Sequence, residues 1–426
     1  MGFVVTALIV AVVGWLTFKL VAPSTAVDAA CSRPELASLT ASTHMDNSPA
    51  CFYSRTYNEA RLRFLKQVGK SGLPFEHHAL SIGHHGLFVD VALLRRRSDA
   101  LLIHVSGTHG TEGFVGSAIQ TALLSHTNES DGLPFKSVNG DAAPSLMFVH
   151  ALNPFGMATY RRWNEDGIDL NRNMLLTKAQ WDEVLTRDES DYEGISQVIN
   201  PAEPPTLLSL LTRAPIMAWR FLTAFVETKR ALVGATYRQA GGIFFGGERL
   251  STSHQVLTEF LVASGLTETV KHLTLIDVHS GLGPMGDDTL MFSVEAERAC
   301  RLFSGAHGCE HVGSGNFSAD APSAGYERTV GTVTEPKGYV SLFKHAQPEN
   351  TLSVTQEFGT IPPVQVVLAL IRENQAFRFG DDATRRQFAQ QIYDTFVPLT
   401  RATRANTVKR GVTLAQQALA DLASRK

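Results

Sequence analysis

Five runs of aliphatic and β-branched residues recur along this chain of 426 residues, and clusters of polar residues follow four of them. The runs are LFVDVALL (87–94), LLIHVSG (101–107), SLMFVHALN (145–153), LTLIDVHS (273–280) and TLSVTQEFG (351–359). Apolar runs of this length are typical of strands buried on both faces. Helix-like stretches lie between them, for example at residues 115–124. The pattern therefore predicts an α/β fold in which a mostly parallel or mixed sheet is sandwiched by helices.

The composition argues against a nucleic-acid partner. Hydrophobic residues make up 44% of the chain, charged residues make up 19%, and the formal net charge is -3. No long basic stripe is available to displace counterions from phosphates. Three consecutive arginines at 95–97 follow an apolar run, and we interpret them as a solvated turn.

The N-terminus contains a long uncharged stretch. Residues 2–18, GFVVTALIVAVVGWLTF, carry no charge, and Lys19 follows them. We predict that residues 1–22 form a membrane anchor, with a cleaved signal segment as the second interpretation and a buried core helix as the third. The signal interpretation lacks the usual basic n-region.

The cysteines agree with export from the cytosol. All four of them lie after the apolar stretch, and the two close pairs, Cys31 with Cys51 and Cys300 with Cys309, are the simplest of three possible connectivities. Asn128 and Asn316 stand in glycosylation sequons. We expect a membrane-anchored or secreted glycoprotein with disulfides, in which the part after the apolar stretch is lumenal or extracellular.

The composition of the chain predicts two further parts after residues 1–22. Residues 23–56 are rich in Ser, Thr, Ala and Pro and are predicted to be a lead-in or tether. Residues 57–426 are predicted to form the functional domain, which begins with an amphipathic helix at 57–68. Residues 181–265 are predicted to be a helical insertion that covers one side of the site.

The first polar cluster, SGTHGTEG at 106–113, follows a predicted strand directly. His109 and Glu112 form a His-x-x-Glu pair, and in a tight turn both side chains can reach one zinc ion. A lone pair of this kind is often surface decoration, but here it lies among glycines at the end of a strand.

The second cluster, NEDGIDLNRN at 164–173, follows two arginines, Arg161 and Arg162. Asp169 is able to accept a hydrogen bond from the ring nitrogen that a metal-bound histidine leaves free. Arg172 offers a planar fork for a carboxylate, with the Asn171 amide beside it. A polar turn with surface salt bridges is the alternative.

The last two clusters also lie at strand ends. Asp277 and His279 point to the same face of a strand, so Asp277 is able to position His279. Glu357 follows the apolar run TLSV, where an unpaired carboxylate is costly. A salt bridge would satisfy it, and so would a metal-activated water from which it takes a proton.

Six ordered motifs together resemble the zinc carboxypeptidase superfamily, and most closely a branch marked by SGTHGxEG, DLNRN, DxHSGLGP and EFGT. The motifs are SGTHGTEGFVGS (106–117), HALNPFG (150–156), RRWNEDGIDLNRN (161–173), GGIFFGG (241–247), DVHSGLGP (277–284) and QEFGT (356–360). The resemblance implies a mixed, roughly eight-stranded sheet between helices and one Zn²⁺ per chain.

The resemblance also implies roles for individual residues. His109, Glu112 and His279 match the zinc ligands, and Glu357 matches the catalytic base and acid. Arg162 is similar to the arginine that polarises the scissile carbonyl, with Arg161 as the fallback. Asn171 and Arg172 match the pair that binds a substrate carboxylate, and Asp169 and Asp277 support the histidines. For the active-site tyrosine of the family, Tyr339 is the candidate.

Three functions remain open at this point. The first is hydrolysis of an amide next to a free carboxylate in a small peptide, as in a carboxypeptidase. The second is deacylation of N-acyl amino acids at the same site. The third is a binding protein that keeps the fold without turnover. A serine hydrolase is disfavoured because the chain has no Gly-x-Ser-x-Gly elbow.

Overall fold

The computed structural model describes residues 49–125, 143–292, 296–303, 305–306, 308–311 and 329–425. In chain order its strands are β1 (Glu76–Ser81), β2 (Phe88–Leu94), β3 (Arg97–Ser106), β4 (Pro144–His150), β5 (His272–Met285), β6 (Asp288–Phe292), β7 (Gly308–His311) and β8 (Thr351–Gly359).

Helices precede, separate and follow these strands. In chain order they are α1 (Tyr57–Lys70), α2 (Gly113–Ser125), α3 (Pro154–Thr159), α4 (Lys178–Thr186), α5 (Ser190–Ile199), α6 (Leu207–Thr223), α7 (Phe225–Val233), α8 (Thr252–Ala263), α9 (Leu266–Thr269), α10 (Ala296–Leu302), α11 (Pro363–Phe379), α12 (Asp382–Phe396) and α13 (Arg401–Ser424). Short 3₁₀ turns occur at Pro49–Phe52, Leu170–Arg172, Tyr339–Leu342 and Pro348–Asn350.

The strands of the described residues form one mixed sheet of eight, in the order β1-β2-β4-β3-β5-β8-β6-β7. β4, β3, β5 and β8 are parallel to their neighbours in this central block, whereas β2 joins β4 and β6 joins β8 in antiparallel fashion. The predicted fold class is confirmed. Because the central strands are parallel, their carboxyl ends meet at one edge of the sheet, which is where open α/β sheets bind ligands.

Helices cover both faces of the sheet, as the alternation of side chains along β3 requires. Leu102 packs into a cluster with residues of α1, α2 and α13, such as Phe64 and Leu414. Leu101 on the opposite face packs into a second cluster with residues of α8, such as Leu257. Apolar side chains on both faces of one strand explain why this run has no polar face.

A third apolar cluster lies among the helices between β4 and β5 and the helices that follow β8. It joins Ile195 of α5, Leu210 of α6 and Leu232 of α7 to Leu370 of α11 and Phe396 of α12. Helices therefore occur in the predicted insertion, although its status as an insertion, and the division of the chain at residues 22 and 56, stay predictions.

The expectation of a transmembrane protein is corrected. Across the residues that the structure describes, no helix is both long and apolar enough to cross a bilayer. The predicted anchor at residues 1–22 lies outside those residues.

One predicted disulfide is confirmed. Cys300 and Cys309 are bonded, with their Cα atoms 5.9 Å apart. Cys51 is disulfide-bonded as well, but its predicted partner Cys31 lies outside the described residues. The sequons at Asn128 and Asn316 also lie outside them.

Candidate metal centre and active site

Three neighbouring strands bring the predicted site together at the carboxyl edge of the sheet. β3 ends at Ser106, whose partner in β5 is Val278. In β5 and β8, His279 and Glu357 are directly paired. The turn after β3 carries His109 and Glu112 back over the ends of these strands. The site therefore joins residues that are far apart in sequence.

The turn after β3 depends on a close approach between two backbones. A Cβ atom at Gly110 would lie 2.1 Å from the carbonyl carbon of Gly156, so no larger residue fits there. The Gly110 N–H donates to the Arg162 carbonyl at 3.1 Å, and the Thr111 N–H donates to the Arg161 carbonyl at 3.0 Å. These contacts hold the turn against the segment that carries the two arginines.

His109, Glu112 and His279 converge on one point in the interior. His109 Nδ1 lies 2.9 Å from Glu112 Oε1, and His279 Nδ1 lies 3.1 Å from Glu112 Oε2. The two Nδ1 atoms are 3.0 Å apart. All three residues are buried and could hold a metal ion, with their ligand atoms within 4.8 Å of one another. Tetrahedral ligands at ~2.1 Å from a metal would lie ~3.4 Å apart, which is close to these spacings.

Two aspartates fix the outer nitrogens of the histidines. His109 Nε2 lies 3.0 Å from Asp169 Oδ1, and His279 Nε2 lies 2.6 Å from Asp277 Oδ2. The Thr108 hydroxyl donates to the other oxygen of Asp277 at 2.7 Å. Because carboxylates accept at both Nε2 atoms, the network assigns the N–H to Nε2 and leaves a lone pair on each Nδ1. Two lone pairs and a carboxylate that face one another need a cation between them, either a proton or a metal ion.

The ionisable side chains of this cluster shift one another's pKa values. Burial acts to lower the pKa of His279, but Asp277 and Glu112 outweigh burial and raise that pKa well above its usual value. Burial acts to raise the pKa of the Glu112 carboxyl, but His109 and His279 outweigh burial and hold it below its usual range. The site therefore favours an ionised carboxylate beside a cation.

Glu357 lies beside the cluster of His109, Glu112 and His279 and is not one of its members. The Leu282 N–H donates to its Oε1 at 2.9 Å. Burial, helped by the negative charge of Glu112, raises the pKa of Glu357 to about 7. A carboxyl group with such a pKa is suited to take and return a proton near neutral pH.

Arg161 and Arg162 have different hydrogen-bond partners. Arg162 donates from Nε to Asp169 Oδ2 at 3.0 Å and from Nη1 to Glu112 Oε1 at 3.2 Å, and it lines the cavity. Arg161 instead donates from Nε to Glu373 Oε1 at 2.7 Å and stacks on Phe377. The Arg161 guanidinium is thus held in a buried ion pair, and Arg161 is not among the residues that line the cavity. Its assignment to substrate binding stays a prediction.

Asn171 and Arg172 both belong to the short 3₁₀ turn at Leu170–Arg172. Asn171 Oδ1 accepts from the Val333 N–H at 3.0 Å, so its amide group is fixed by the loop before β8. Arg172 donates from Nε to the Val233 carbonyl at 2.8 Å, at the end of α7. Both residues line the cavity. Burial and contacts from two elements hold the guanidinium in a defined position.

Tyr339 lies away from the cavity lining. It is 1% exposed, and its hydroxyl is 2.7 Å from His254 Nδ1. Its ring packs in the apolar cluster on the α8 face of the sheet. Tyr339 is therefore a core residue, and its candidacy as the active-site tyrosine was wrong.

These residues open into one cavity of about 560 Å³. His109, Glu112, His279 and Glu357 line its inner end, and Arg162 lies beside them. Sequence reasoning missed much of the remaining lining, most of which is apolar or threonine, with Lys229, Glu335 and Lys337 as charged members. The missed residues include Phe221, Phe225, Phe244, Thr332, Thr334, Glu335, Val367, Leu370 and Phe396. Phe244 lies in the motif GGIFFGG at 241–247, which gave no role to the residue itself. No motif marked the others, because they come from helices and loops that look like ordinary core or surface segments.

Fold and site together define an α/β protein of the metallocarboxypeptidase fold with a buried group able to hold a metal. The solved structure of thrombin activatable fibrinolysis inhibitor is similar over 88% of this chain and 76% of its own, with a TM-score of 0.50 and 10% identity. This likeness shows the fold, and the predicted resemblance to the zinc carboxypeptidase superfamily is confirmed at that level. The chain belongs to the family described as "Protein of unknown function (DUF2817)", which matches residues 53–410.

Two further solved structures are similar at lower TM-scores. The bovine thrombin-activatable fibrinolysis inhibitor in complex with tick carboxypeptidase inhibitor has a TM-score of 0.46 and 10% identity, over 87% of this chain and 98% of its own. Carboxypeptidase A from Helicoverpa armigera has a TM-score of 0.40 and 12% identity, over 83% of this chain and 78% of its own. No curated protein matches this sequence.

Proposed function

We propose that this protein is a zinc-dependent hydrolase that cleaves an amide bond next to a free carboxylate. The observation that carries the proposal is the convergence of His109, Glu112 and His279 on one point beside Glu357, at the inner end of an open cavity. A binding protein without turnover would have no need of a carboxyl group poised beside such a group.

The donor set supports zinc as the metal. Two imidazoles and one carboxylate are a donor set of catalytic zinc sites, where the fourth position is open. The aspartates at the outer nitrogens of His109 and His279 orient the rings and raise their basicity. When bound, zinc supplies a Lewis acid that polarises the amide carbonyl and acidifies water.

Glu357 and Arg162 perform the remaining chemistry. Glu357 takes a proton from the attacking water and returns it to the leaving amine, a transfer for which a pKa of about 7 is suited. Arg162 donates a hydrogen bond to the carbonyl oxygen as negative charge develops on it. Its hydrogen bonds to Asp169 and Glu112 hold the guanidinium beside the proposed metal ligands before substrate binds.

Asn171 and Arg172 supply the preference for a free carboxylate. A fixed guanidinium with an amide beside it binds a carboxylate in the productive orientation. Both a peptide with a free C-terminus and an N-acyl amino acid present such a group next to the scissile amide. Peptides with a free C-terminus and N-acyl amino acids therefore belong to one proposed substrate class.

We propose an oxidising compartment, extracellular or lumenal, as the location. The disulfide between Cys300 and Cys309 supports it, because such bonds persist where glutathione does not reduce them. We also propose that residues 57–426 act as one catalytic domain in which residues 181–265 are an insertion.

The test is a comparison of matched amides. Purified, zinc-supplied protein is incubated with peptides and N-acyl amino acids whose carboxylate is either free or amidated. We expect hydrolysis of the free acids, at least ~100-fold slower hydrolysis of the amidated forms, and loss of activity with a chelator. Turnover that survives complete removal of metal, or equal rates for both forms, would contradict the proposal.

A further inference from the structure

The cavity lining contains two chemically different groups of residues. The polar group, which we call the polar side, includes Asn171 and Arg172 with Thr332, Thr334 and Thr355. The Val333 N–H donates to Asn171 Oδ1, so the loop with two of these threonines lies beside Asn171. The Thr334 and Thr355 hydroxyl oxygens are 3.1 Å apart. This side is suited to the carboxylate-bearing half of a substrate, since it offers hydrogen-bonding groups throughout.

The second group of lining residues forms an apolar wall, which consists of Phe221, Phe225, Phe244, Val367, Leu370 and Phe396. These side chains come from α6, α7, the loop before α8, α11 and α12. Four of them, at 244, 367, 370 and 396, belong to one buried cluster, so the wall is an extension of a packed core. Its shape is therefore set by the core and does not depend on a mobile loop.

The apolar wall begins at the reacting groups. A Cβ atom at Gly281 would lie 2.8 Å from the Phe396 ring and 3.7 Å from Glu357 Oε1, so Phe396 adjoins the proposed base. The Arg162 guanidinium carbon lies 5.1 Å from the centre of the Phe244 ring. Phe396 and Phe244 thus flank the place where the amide carbonyl is polarised.

The wall ends at the protein surface. The rings of Phe221 and Phe225 are 5.8 Å apart, and Phe225 is 48% exposed. A substrate group that starts at the carbonyl and runs along the wall would lie mainly on these apolar side chains, with the aliphatic stem of Lys229 beside them in the lining. The cavity volume of about 560 Å³ falls within the range of sites that enclose a complete small molecule.

We infer that the substrate is an N-acyl amino acid whose acyl group is a long aliphatic chain lying along the apolar wall. This inference rests on the proposed function and names its substrate class. Arg172 is proposed to hold the carboxylate, and the apolar wall that begins beside Glu357 and Arg162 is then left for the acyl half. A peptide would bring additional N–H and C=O groups there, and the phenylalanine, valine and leucine side chains offer them no partner.

The reaction is a hydrolysis that balances without a further reactant. The C–N bond of the amide breaks, the hydroxyl of water joins the acyl carbon, and the amine leaves with the proton that Glu357 returns. The products are a fatty acid and a free amino acid. The fatty acid leaves along the apolar wall, and the amino acid leaves from the polar side.

The experiment measures kcat/KM of the zinc-loaded chain for N-acetyl, N-butanoyl, N-octanoyl and N-dodecanoyl derivatives of one amino acid, each below its critical micelle concentration. Burial of each methylene is expected to raise kcat/KM until the wall is filled, by on the order of 100-fold between acetyl and octanoyl. A parallel series keeps the octanoyl group and varies the amino acid. There we expect a smaller spread, because the polar side lacks a comparable apolar surface.

A matched pair of variants assigns the effect to the wall. Phe225→Ser removes an exposed wall residue and should lower the ratio of dodecanoyl to acetyl kcat/KM by about 10-fold. Trp219→Ser removes an aromatic side chain of α6 that is 56% exposed and lies outside the cavity lining, and the ratio should stay within about twofold of wild type.

The outcomes separate this inference from the proposed function. A kcat/KM that is flat or falls with acyl length, or that depends mainly on the amino-acid side chain, overturns the inference and leaves the hydrolase standing. The inference also fails if Trp219→Ser changes the ratio as much as Phe225→Ser does. Failure of the zinc-loaded protein to cleave any free-acid amide overturns both.

Discussion

His279 Nδ1 lies 3.0 Å from His109 Nδ1, although the two residues are 170 positions apart in the chain. Asp277 and Asp169 hold the far side of each ring, so both inner nitrogens face the same space with Glu112 between them. This arrangement is costly without a cation at its centre, and it explains why two aspartates accompany the histidines.

Asp277→Asn should weaken metal binding without removing a ligand. The amide no longer enforces the N–H at Nε2 of His279, so the ring is less well oriented and less basic. We expect zinc to bind about 10- to 100-fold more weakly, measured by competition with a chromogenic chelator. Asp287→Asn is the control from the same region, and an equal loss in both variants would contradict a specific role for Asp277.

Glu357→Gln should remove turnover and keep the metal. The Gln amide oxygen is still able to accept the hydrogen bond from the Leu282 N–H, so the local backbone is retained, but no proton is transferred. We expect kcat to fall by about 1,000-fold or more with an unchanged zinc content. The control Glu349→Gln makes the same change at an exposed site just before β8. An active Glu357→Gln protein would refute the assignment.

The two adjacent arginines should respond differently to the same substitution. Arg162→Lys should lower kcat/KM by about 100-fold, since an ammonium group does not reproduce the fork that reaches both Asp169 and the carbonyl oxygen. Arg161→Lys should lower the free energy of unfolding by about 2 kcal/mol, because it weakens the buried pair with Glu373, and the folded protein should keep its activity. Chemical denaturation and kinetics on both variants provide the comparison, and a reversed pattern would exchange their roles.

His254 should make stability fall as the solution becomes acidic. Burial lowers the pKa of His254 from 6.5 to about 4, while the ring bonds the Tyr339 hydroxyl and the Leu170 carbonyl. The unfolded chain therefore binds a proton that the folded chain excludes, and the penalty grows as pH falls from about 6.5 to about 4.

At pH 5 this penalty is about 2 kcal/mol, and His254→Gln should remove it. The measurement compares the loss of unfolding free energy between pH 7.5 and pH 5 in wild type and variant. The control His85→Gln changes an exposed histidine. An identical pH dependence in wild type and His254→Gln would contradict the account.

The central strands and their polar ends could be predicted from the sequence for a physical reason. Strands buried on both faces leave a continuous apolar run, and any polar residue at the end of such a run needs a partner. His109, Glu112, His279 and Glu357 all stand out by this rule, and the structure brings them together. Their functional roles still depend on the experiments above.

The strands at the edges of the sheet were missed because their sequences lack that signal. β1, EHHALS, is exposed on much of its length and so carries charged and polar residues. β7 has only four residues. Neither leaves an apolar run long enough to distinguish a strand from a loop.

The apolar wall also could not be predicted from the sequence. Phe244 lies in a glycine-rich loop and Phe396 lies at the end of α12, far apart in the sequence, and neither residue is marked there as facing a cavity. Only the packing of α11 and α12 against the end of β5 shows that they face a cavity. The different contacts of Arg161 and Arg162 could not be predicted either, because neighbouring residues in a turn give no periodic signal.

The zinc content of the purified chain, measured beside that of His279→Ala, tests the central claim most directly. We predict about one zinc ion per wild-type chain after zinc is supplied and excess is removed, and little in the folded variant. A folded wild-type protein that binds no zinc, or a variant that binds as much as wild type, would contradict the metal centre on which the proposed hydrolase depends.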